Sequence, residues 1–190
     1  MKWLRSFTLF TLLPLLALTF VACDAINDLN SVDVNLPIKI AINAKPSLFP
    51  NVQVNEVDVS ENQTFNDNKD RIKGCDLVKL TLSLTDYQGD PIAEETLFSS
   101  IDYTLKFDPS YGDENVYTIG SFQNVKASDF LNSEKSFNVV DSKLNAALDK
   151  IKDRPKFNVY SSYNLQSGSG SMNVCLGTLT IDLKLKAGVL

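Results

Sequence analysis

The sequence predicts an all-β domain: a mostly antiparallel β-sandwich of seven or eight strands with one amphipathic helix packed on it. Three observations carry this expectation. Apolar and polar residues alternate with period two in short segments spread over residues 32–186. Turn-forming clusters, YQGDP at 87–91 and DPSYGD at 108–113, separate several of those segments. A single segment, at about 141–152, changes to a helical period. A small closed barrel of lipocalin type is the alternative that the same pattern admits.

Taken in chain order, the first strand is VDVNLPIKIAI (32–42), with Val32, Val34, Leu36, Ile38, Ile40 and Ile42 on one face. Pro37 has no amide hydrogen, so this strand belongs at a sheet edge or carries a bulge. NVQVNEVDV (51–59) alternates in the same way, with a phase slip at Asn55–Glu56 that suggests a bulge. FNDNKDRIKG (65–74) is a polar turn or short helical loop. The strongest strand, LVKLTLSLTD (77–86), follows it, with Leu77, Leu80, Leu82 and Leu84, and Val78 beside them, around the core. TLFSSIDYTLKF (96–107) and ENVYTIGSFQNVK (114–126) supply the next two. In NVVDSKLNAALDKIKD, the residues Leu144, Ala147, Leu148 and Ile151 recur at helical spacing. Asp141 or Ser142 can cap the start, and Pro155 stops the chain from continuing as helix, so about three turns are expected to lie on a sheet. KFNVYSSYNL (156–165) and MNVCLGTLTIDLKLK (172–186) close the domain, joined by the flexible loop QSGSGS.

The N-terminus reads as an address. Lys2 and Arg5 precede an apolar run from Phe7 to Val21, too short to span a bilayer comfortably and suited to the apolar region of a secretory signal. The run ends in Phe20, Val21, Ala22 and Cys23. This resembles the lipobox of bacterial lipoproteins, although Phe20 stands where that pattern has leucine. The resemblance implies cleavage after Ala22 and lipidation of Cys23, with two or three acyl chains holding firmly where one holds weakly. The expected organisation is a cleaved signal peptide (1–22), a lipidated tether (23–31) and a β-sandwich domain (32–190). The expected location is the bacterial cell envelope, anchored to a membrane that can be inner or outer, with the domain in the periplasm or at the cell surface.

Composition then narrows the function. Without residues 1–22, the remaining 168 residues suffice for one domain with a real core. They carry 16 basic and 23 acidic residues, a net charge of −7, which argues against a nucleic-acid partner and assigns membrane contact to lipid. The chain has no histidine, which excludes Ser–His and Cys–His nucleophilic machinery. The motif S-x-x-K is absent, and SGSGS at 167–171 is out of phase with G-x-S-x-G. The protein is expected not to be an enzyme and to use no cofactor.

With Cys23 committed to lipid, Cys75 and Cys175 remain, and an exported domain makes a disulfide between them the natural expectation. No metal site is expected. Asp108, Asp113, Glu114 and Asn115 are the weak calcium candidates, and neither they nor FNDNKD (65–70) match the calcium-loop spacing. Tyr103, Tyr111, Tyr117, Tyr160 and Tyr163 could stack on sugar rings if several met on one exposed face.

The run NKDRIKGCDLVKLTLSLTDYQGD, the later SKLNAALDKI and the terminal TIDLKLKA together resemble a loose class of small bacterial β-sandwich lipoproteins and secreted proteins. The similarity spans about residues 32–187. It implies fold and location and no activity. The expectation is a lipid-anchored, non-enzymatic structural or interaction module with an unknown partner. The alternative is a ligand-binding module for glycan or a small apolar molecule.

Overall fold

The computed structural model describes residues 31–44, 51–90, 92–112, 115–138, 142–167 and 171–189. Among the described residues, eight strands form two four-stranded sheets. They are β1 (Ser31–Ala44), β2 (Asn51–Asp58), β3 (Ile72–Asp90), β4 (Leu97–Phe107), β5 (Tyr117–Lys126), β6 (Glu134–Asn138), β7 (Lys156–Leu165) and β8 (Ser171–Gly188). Two short helices accompany them, α1 (Gln63–Asn68) and α2 (Ser142–Leu148). Sheet A has the order β1-β8-β3-β6, and sheet B the order β2-β7-β4-β5. The fold is therefore the expected antiparallel sandwich. It is not the lipocalin-like barrel, because the edge strands of the two sheets do not pair into a closed ring.

The strand order has a simple origin. β1 pairs with β8, β2 with β7, β3 with β6 and β4 with β5, all antiparallel, as in one long hairpin folded back on itself. Rolling that ribbon adds the contacts β3–β8 and β4–β7, which splits it into two facing sheets. This is the double-Greek-key jelly roll. Between the sheets the inward positions are filled by large apolar side chains, among them Leu36, Leu77, Leu80, Leu82, Phe98 and Phe107, all essentially without solvent exposure.

Each sandwich has open sides, and this chain closes them with side chains. On one side the β1 edge meets β2. There Gln53 donates from Nε2 to the Ala41 carbonyl at 3.0 Å and accepts at Oε1 from the Asn43 N–H at 3.1 Å, as a neighbouring strand would. Because Ala41 and Asn43 present these groups away from β8, so does Pro37, which shares their parity in an unshifted register. Its missing N–H thus costs no ladder bond, and the edge position expected of Pro37 is found.

On the other side β6 is only five residues long and reaches β3 from Lys79 to Ser83, leaving the start of β3 uncovered. α2 fills the gap. Leu144, Ala147, Leu148 and Ile151 enter the core, while Asn145 Oδ1 accepts from the Leu77 N–H at 3.2 Å and Asp149 Oδ1 from the Cys75 N–H at 3.1 Å. The helix is shorter than expected, about two turns in place of three, and lies against the edge of β3 with its apolar stripe plugging the side of the sandwich. The capping residue Asp141 lies outside the described residues.

Three further details differ from expectation. β2 pairs with β7 without a register shift, so there is no bulge at Asn55–Glu56. Register shifts lie instead in β3, one of them between Leu77 and Lys79, where Val78 has no partner on β8. β3 also runs through Tyr87–Asp90, where a turn was expected, held by pairing with the start of β8. Opposite Leu84, Gly177 packs so closely on β3 that an added Cβ would meet the Ser83 carbonyl and lie 3.0 Å from Leu84 Cα, which explains glycine in a central strand.

Candidate functional site

The outer face of sheet B carries the densest polar array of the described residues. Its origin is the period of β4 and β7. Ile101, Tyr103, Leu105 and Phe107 point inward from β4, as do Phe157, Val159, Ser161 and Tyr163 from β7. The residues between them must therefore face out. The register sets Asp102 between Ser121 of β5 and Ser162 of β7, and Ser100 between Gln123 and Asn164.

The Asp102 carboxylate is the centre of this array. It accepts from Ser100 Oγ at 2.6 Å and from Ser121 Oγ at 2.5 Å. Asn164 Nδ2 at 3.4 Å and Gln123 Nε2 at 3.5 Å stand at the long limit of a hydrogen bond. Asn164 Nδ2 also donates to Ser100 Oγ at 2.9 Å and to Ser162 Oγ at 3.3 Å, and Gln123 Nε2 donates to Ser121 Oγ. None of these partners carries a charge. One rung further along, Thr104 lies between Thr118 and Tyr160, and Tyr160 pairs with Val54 on β2. Val52 and Val54 are about half exposed, at 50 % and 53 %, and form an apolar margin beside the polar centre.

Such a surface can donate to and accept from a ligand at several fixed points, with a carboxylate, two carboxamides, hydroxyls and one phenol within a few rungs. Strands hold these side chains on a rigid base. Asp102 was not singled out by the sequence, because SIDYT and YSSYN show which residues face out but not which face each other.

The residues expected to be functional are placed as follows. Cys23 and the signal region lie outside the described residues, as do Asp113 and Glu114. Asp108 caps the short turn Pro109–Tyr111, accepting from the Ser110 N–H at 2.8 Å. Ser110, through its side chain and its backbone N–H, holds the Asp108 carboxyl below its ordinary 3.8. Gly112, at φ +68°, ends that turn in the left-handed region. Asn115 is exposed at an open cleft of about 580 Å³ that Tyr117, Thr118, Lys143 and Ala146 also line. Among the described residues no three of the Asp, Glu and Cys side chains converge as metal ligands. The oxygen-rich stretch 65–70 is α1 and the turn after it. Phe65 is buried there, and Asn66, Asn68 and Asp67 are taken up by Ser60, Thr64, Arg71 and Gln63.

The expected disulfide is not formed. Cys75 lies opposite Leu185 and Cys175 opposite Tyr87, so ten residues of β8 separate them along the ladder. That is about 30 Å, against a Cα separation of roughly 7 Å at most in a disulfide. Both are free and fully buried, and burial pushes each thiol up to about 12. Both head alternating strands, as the sequence indicates, but the strands run antiparallel and carry the cysteines to opposite ends.

The tyrosines do not assemble into an exposed row. Tyr103 and Tyr163 are fully buried, edge to face with ring centroids 6.5 Å apart. Neither hydroxyl has a well-formed hydrogen bond, although the two are close enough to perturb each other, and burial raises both above the ordinary tyrosine value. Tyr111 and Tyr117 are half-buried against the core. Tyr160 alone of the five stands on the polar face of sheet B.

The fold and site define a jelly-roll domain with a polar sheet face. No protein-family model matches the chain, and no curated protein matches it. Among solved structures it is similar to a protein of Desmodium yellow mottle tymovirus, at 16 % identity and TM-score 0.34 over 84 % of this chain and 90 % of that one. The decameric BFDV capsid protein is similar at 7 % identity and TM-score 0.38, over 82 % and 98 %. A latent aurone synthase (polyphenol oxidase) is similar at 15 % identity and TM-score 0.31, over 83 % of this chain and 26 % of that one. These TM-scores are too low to carry an argument, and the fold is assigned from the strand order itself.

Proposed function

We propose that the protein is a lipid-anchored module of the bacterial envelope that acts by binding through the outer face of sheet B and performs no chemistry. The observation that carries the binding surface is the array around Asp102, whose side chains are locked to one another on a sheet and point to solvent. Support for the anchor comes from the run ending in Ala22 and Cys23. Support for a non-enzymatic role comes from the lack of histidine and from interior thiols that are buried and protonated at neutral pH. Among the described residues no helix is long and apolar enough to cross a membrane, so the anchor at Cys23 is the proposed means of attachment.

A second reading, a glycan as the ligand, is favoured by Tyr160 beside paired amide, hydroxyl and carboxylate groups. Sugars are bound by bidentate hydrogen bonds to such groups with an aromatic ring under the apolar face of the pyranose. The test is binding to an immobilised glycan panel by wild type, Asp102→Ala and Tyr160→Ala. Loss of a wild-type signal in both variants supports the glycan. A wild-type signal unchanged in both would remove this face from the function, and no signal on any glycan would leave a protein partner as the reading.

A further inference from the structure

The array around Asp102 occupies one end of a longer platform. On β2 the exposed residues Val52, Val54 and Glu56 alternate with half-buried Gln53 and Asn55. On β7 the positions between the buried Phe157, Val159, Ser161 and Tyr163 are Asn158, Tyr160 and Ser162. The ladders set these against β4 in rows. Val52, Ser162 and Asp102 form one row, Val54, Tyr160 and Thr104 the next, and Glu56, Asn158 and Lys106 the one after. A second polar station, with a carboxylate, a carboxamide and an ammonium group on neighbouring strands, therefore stands on the far side of Tyr160. Four residues of β4 lead from Asp102 to Lys106, so the two stations are about 13 Å apart.

The strands that build this platform are balanced in charge, although the chain is acidic overall. Together β2, β4, β5 and β7 carry Glu56, Asp58 and Asp102 against Lys106, Lys126 and Lys156, three of each sign. One pair is closed, with Lys156 3.3 Å from Asp58. The same strands hold no arginine and no tryptophan, two of the residue types that most often anchor a protein partner. Recognition here therefore falls to hydrogen bonds and to the apolar strip of Val52, Val54 and Tyr160, and not to a field of one sign.

We infer that the ligand of this face is a neutral, linear oligosaccharide laid along β4 and β7, with a middle sugar on Tyr160 and its neighbours bonded at the two stations. The inference rests on the glycan reading above and adds the length and the charge of the ligand. A single sugar ring is shorter than the gap between the stations, so it engages one of them. A chain engages both, and once the first station holds it the second set of contacts forms within one complex, which raises affinity without any new kind of contact. Neutral hydroxyls suit the groups present, since each can donate to a carboxylate or a carboxamide oxygen and accept from a carboxamide N–H. An anionic sugar placed beside Lys106 would also meet Glu56 across Asn158, and beside Asp102 it would meet a carboxylate with no cation in its network.

The test is titration of the mature protein with glucose, mannose, galactose and N-acetylglucosamine, with the linear tri- and hexasaccharides of each, and with oligogalacturonate as the charged comparison. The expected result is a neutral hexasaccharide that binds about ten-fold or more tightly than its monosaccharide and more tightly than oligogalacturonate, with little change in high salt. Asn158→Ala and Glu56→Ala, both outward substitutions with wild-type thermal unfolding, should each weaken that hexasaccharide about ten-fold, as Asp102→Ala does at the other station. Equal affinity at every chain length would overturn the two-station ligand and leave the glycan reading standing. So would loss of binding in Asp102→Ala with no change in Asn158→Ala and Glu56→Ala. Tighter binding of oligogalacturonate than of any neutral chain would overturn the neutral ligand. No binding of any sugar would overturn the glycan reading and this inference with it.

Discussion

Removing the two side chains, one on α2 and one just after it, that cap the free edge of β3 should destabilise the domain measurably without unfolding it. The Leu77 and Cys75 amides are bonded by Asn145 at 3.2 Å and Asp149 at 3.1 Å; Leu77 and Cys75 are buried, whereas Asn145 is half-buried and Asp149 exposed, so water replaces the lost acceptors only in part. A neutral hydrogen bond of this kind contributes about 1 kcal/mol and one to a charged acceptor about 1.5–3 kcal/mol. Alanine is the better helix former, which returns a few tenths of a kcal/mol at position 145, the one of the two within α2. Because Asp149 is exposed, Asn145→Ala/Asp149→Ala should lose about 1–3 kcal/mol, a sizeable share of an ordinary domain stability of about 5–15 kcal/mol. Asp149→Asn keeps an acceptor and should lose about 1 kcal/mol or less. Urea unfolding measures the loss as a midpoint shift of about 1 M or more. Hydrogen exchange should accelerate at Cys75 and Leu77 in the alanine variant. A double variant with wild-type midpoint and unchanged protection at those two amides would refute the edge-capping role of α2.

Tyr163→Phe removes a buried hydroxyl that lacks a good hydrogen bond, so its thermal unfolding should be unchanged or show up to about 1 kcal/mol of added stability. A clear loss would mean that the hydroxyl is satisfied. Cys75 and Cys175 should resist alkylation in the native protein at neutral pH and both react in denaturant, whereas an intact bridge in unreduced protein would contradict the strand register. Partial burial pushes the Asp58 carboxyl up, but Ser60 and Lys156 outweigh it and hold it below its ordinary 3.8. A depressed carboxylate stabilises the fold above its unfolded value and ceases to do so as pH falls through the lowered folded value. Asp58→Asn should therefore be less stable than wild type near neutrality, by about 1 kcal/mol or less, with the difference closing below about pH 4. A difference that persists undiminished in acid would rule out the ionised carboxylate as its source.

The strands were legible wherever alternation was long. Leu36 to Ile42 and Ile181 to Leu185 present the faces their periods indicate, although Val32 at the start of β1 is exposed, and Pro37 announced an edge. β6 was not legible, because EKSFN is short, opens on two charged residues and is paired only through a few rungs with β3. The helix was visible in Leu144, Ala147, Leu148 and Ile151, but its position was not. Its place at the β3 edge depends on how far β6 reaches, which no local pattern records. The same limit explains the disulfide. Two cysteines at the heads of apolar strands look like partners until antiparallel pairing carries them ten rungs apart. Asp102 is the converse case, an ordinary outward residue in sequence that becomes the centre of a network because β5 and β7 bring Ser121, Gln123 and Asn164 to its sides.

The claim that this jelly roll works from a membrane depends on the chemistry of one residue, and intact mass spectrometry of the protein extracted from membranes reads it directly. The expected species begins at Cys23 and carries a diacylglyceryl thioether together with an acylated amine, and Cys23→Ala yields no acylated form. A mature chain that begins at another residue, or that carries Cys23 as a free thiol, would contradict the account.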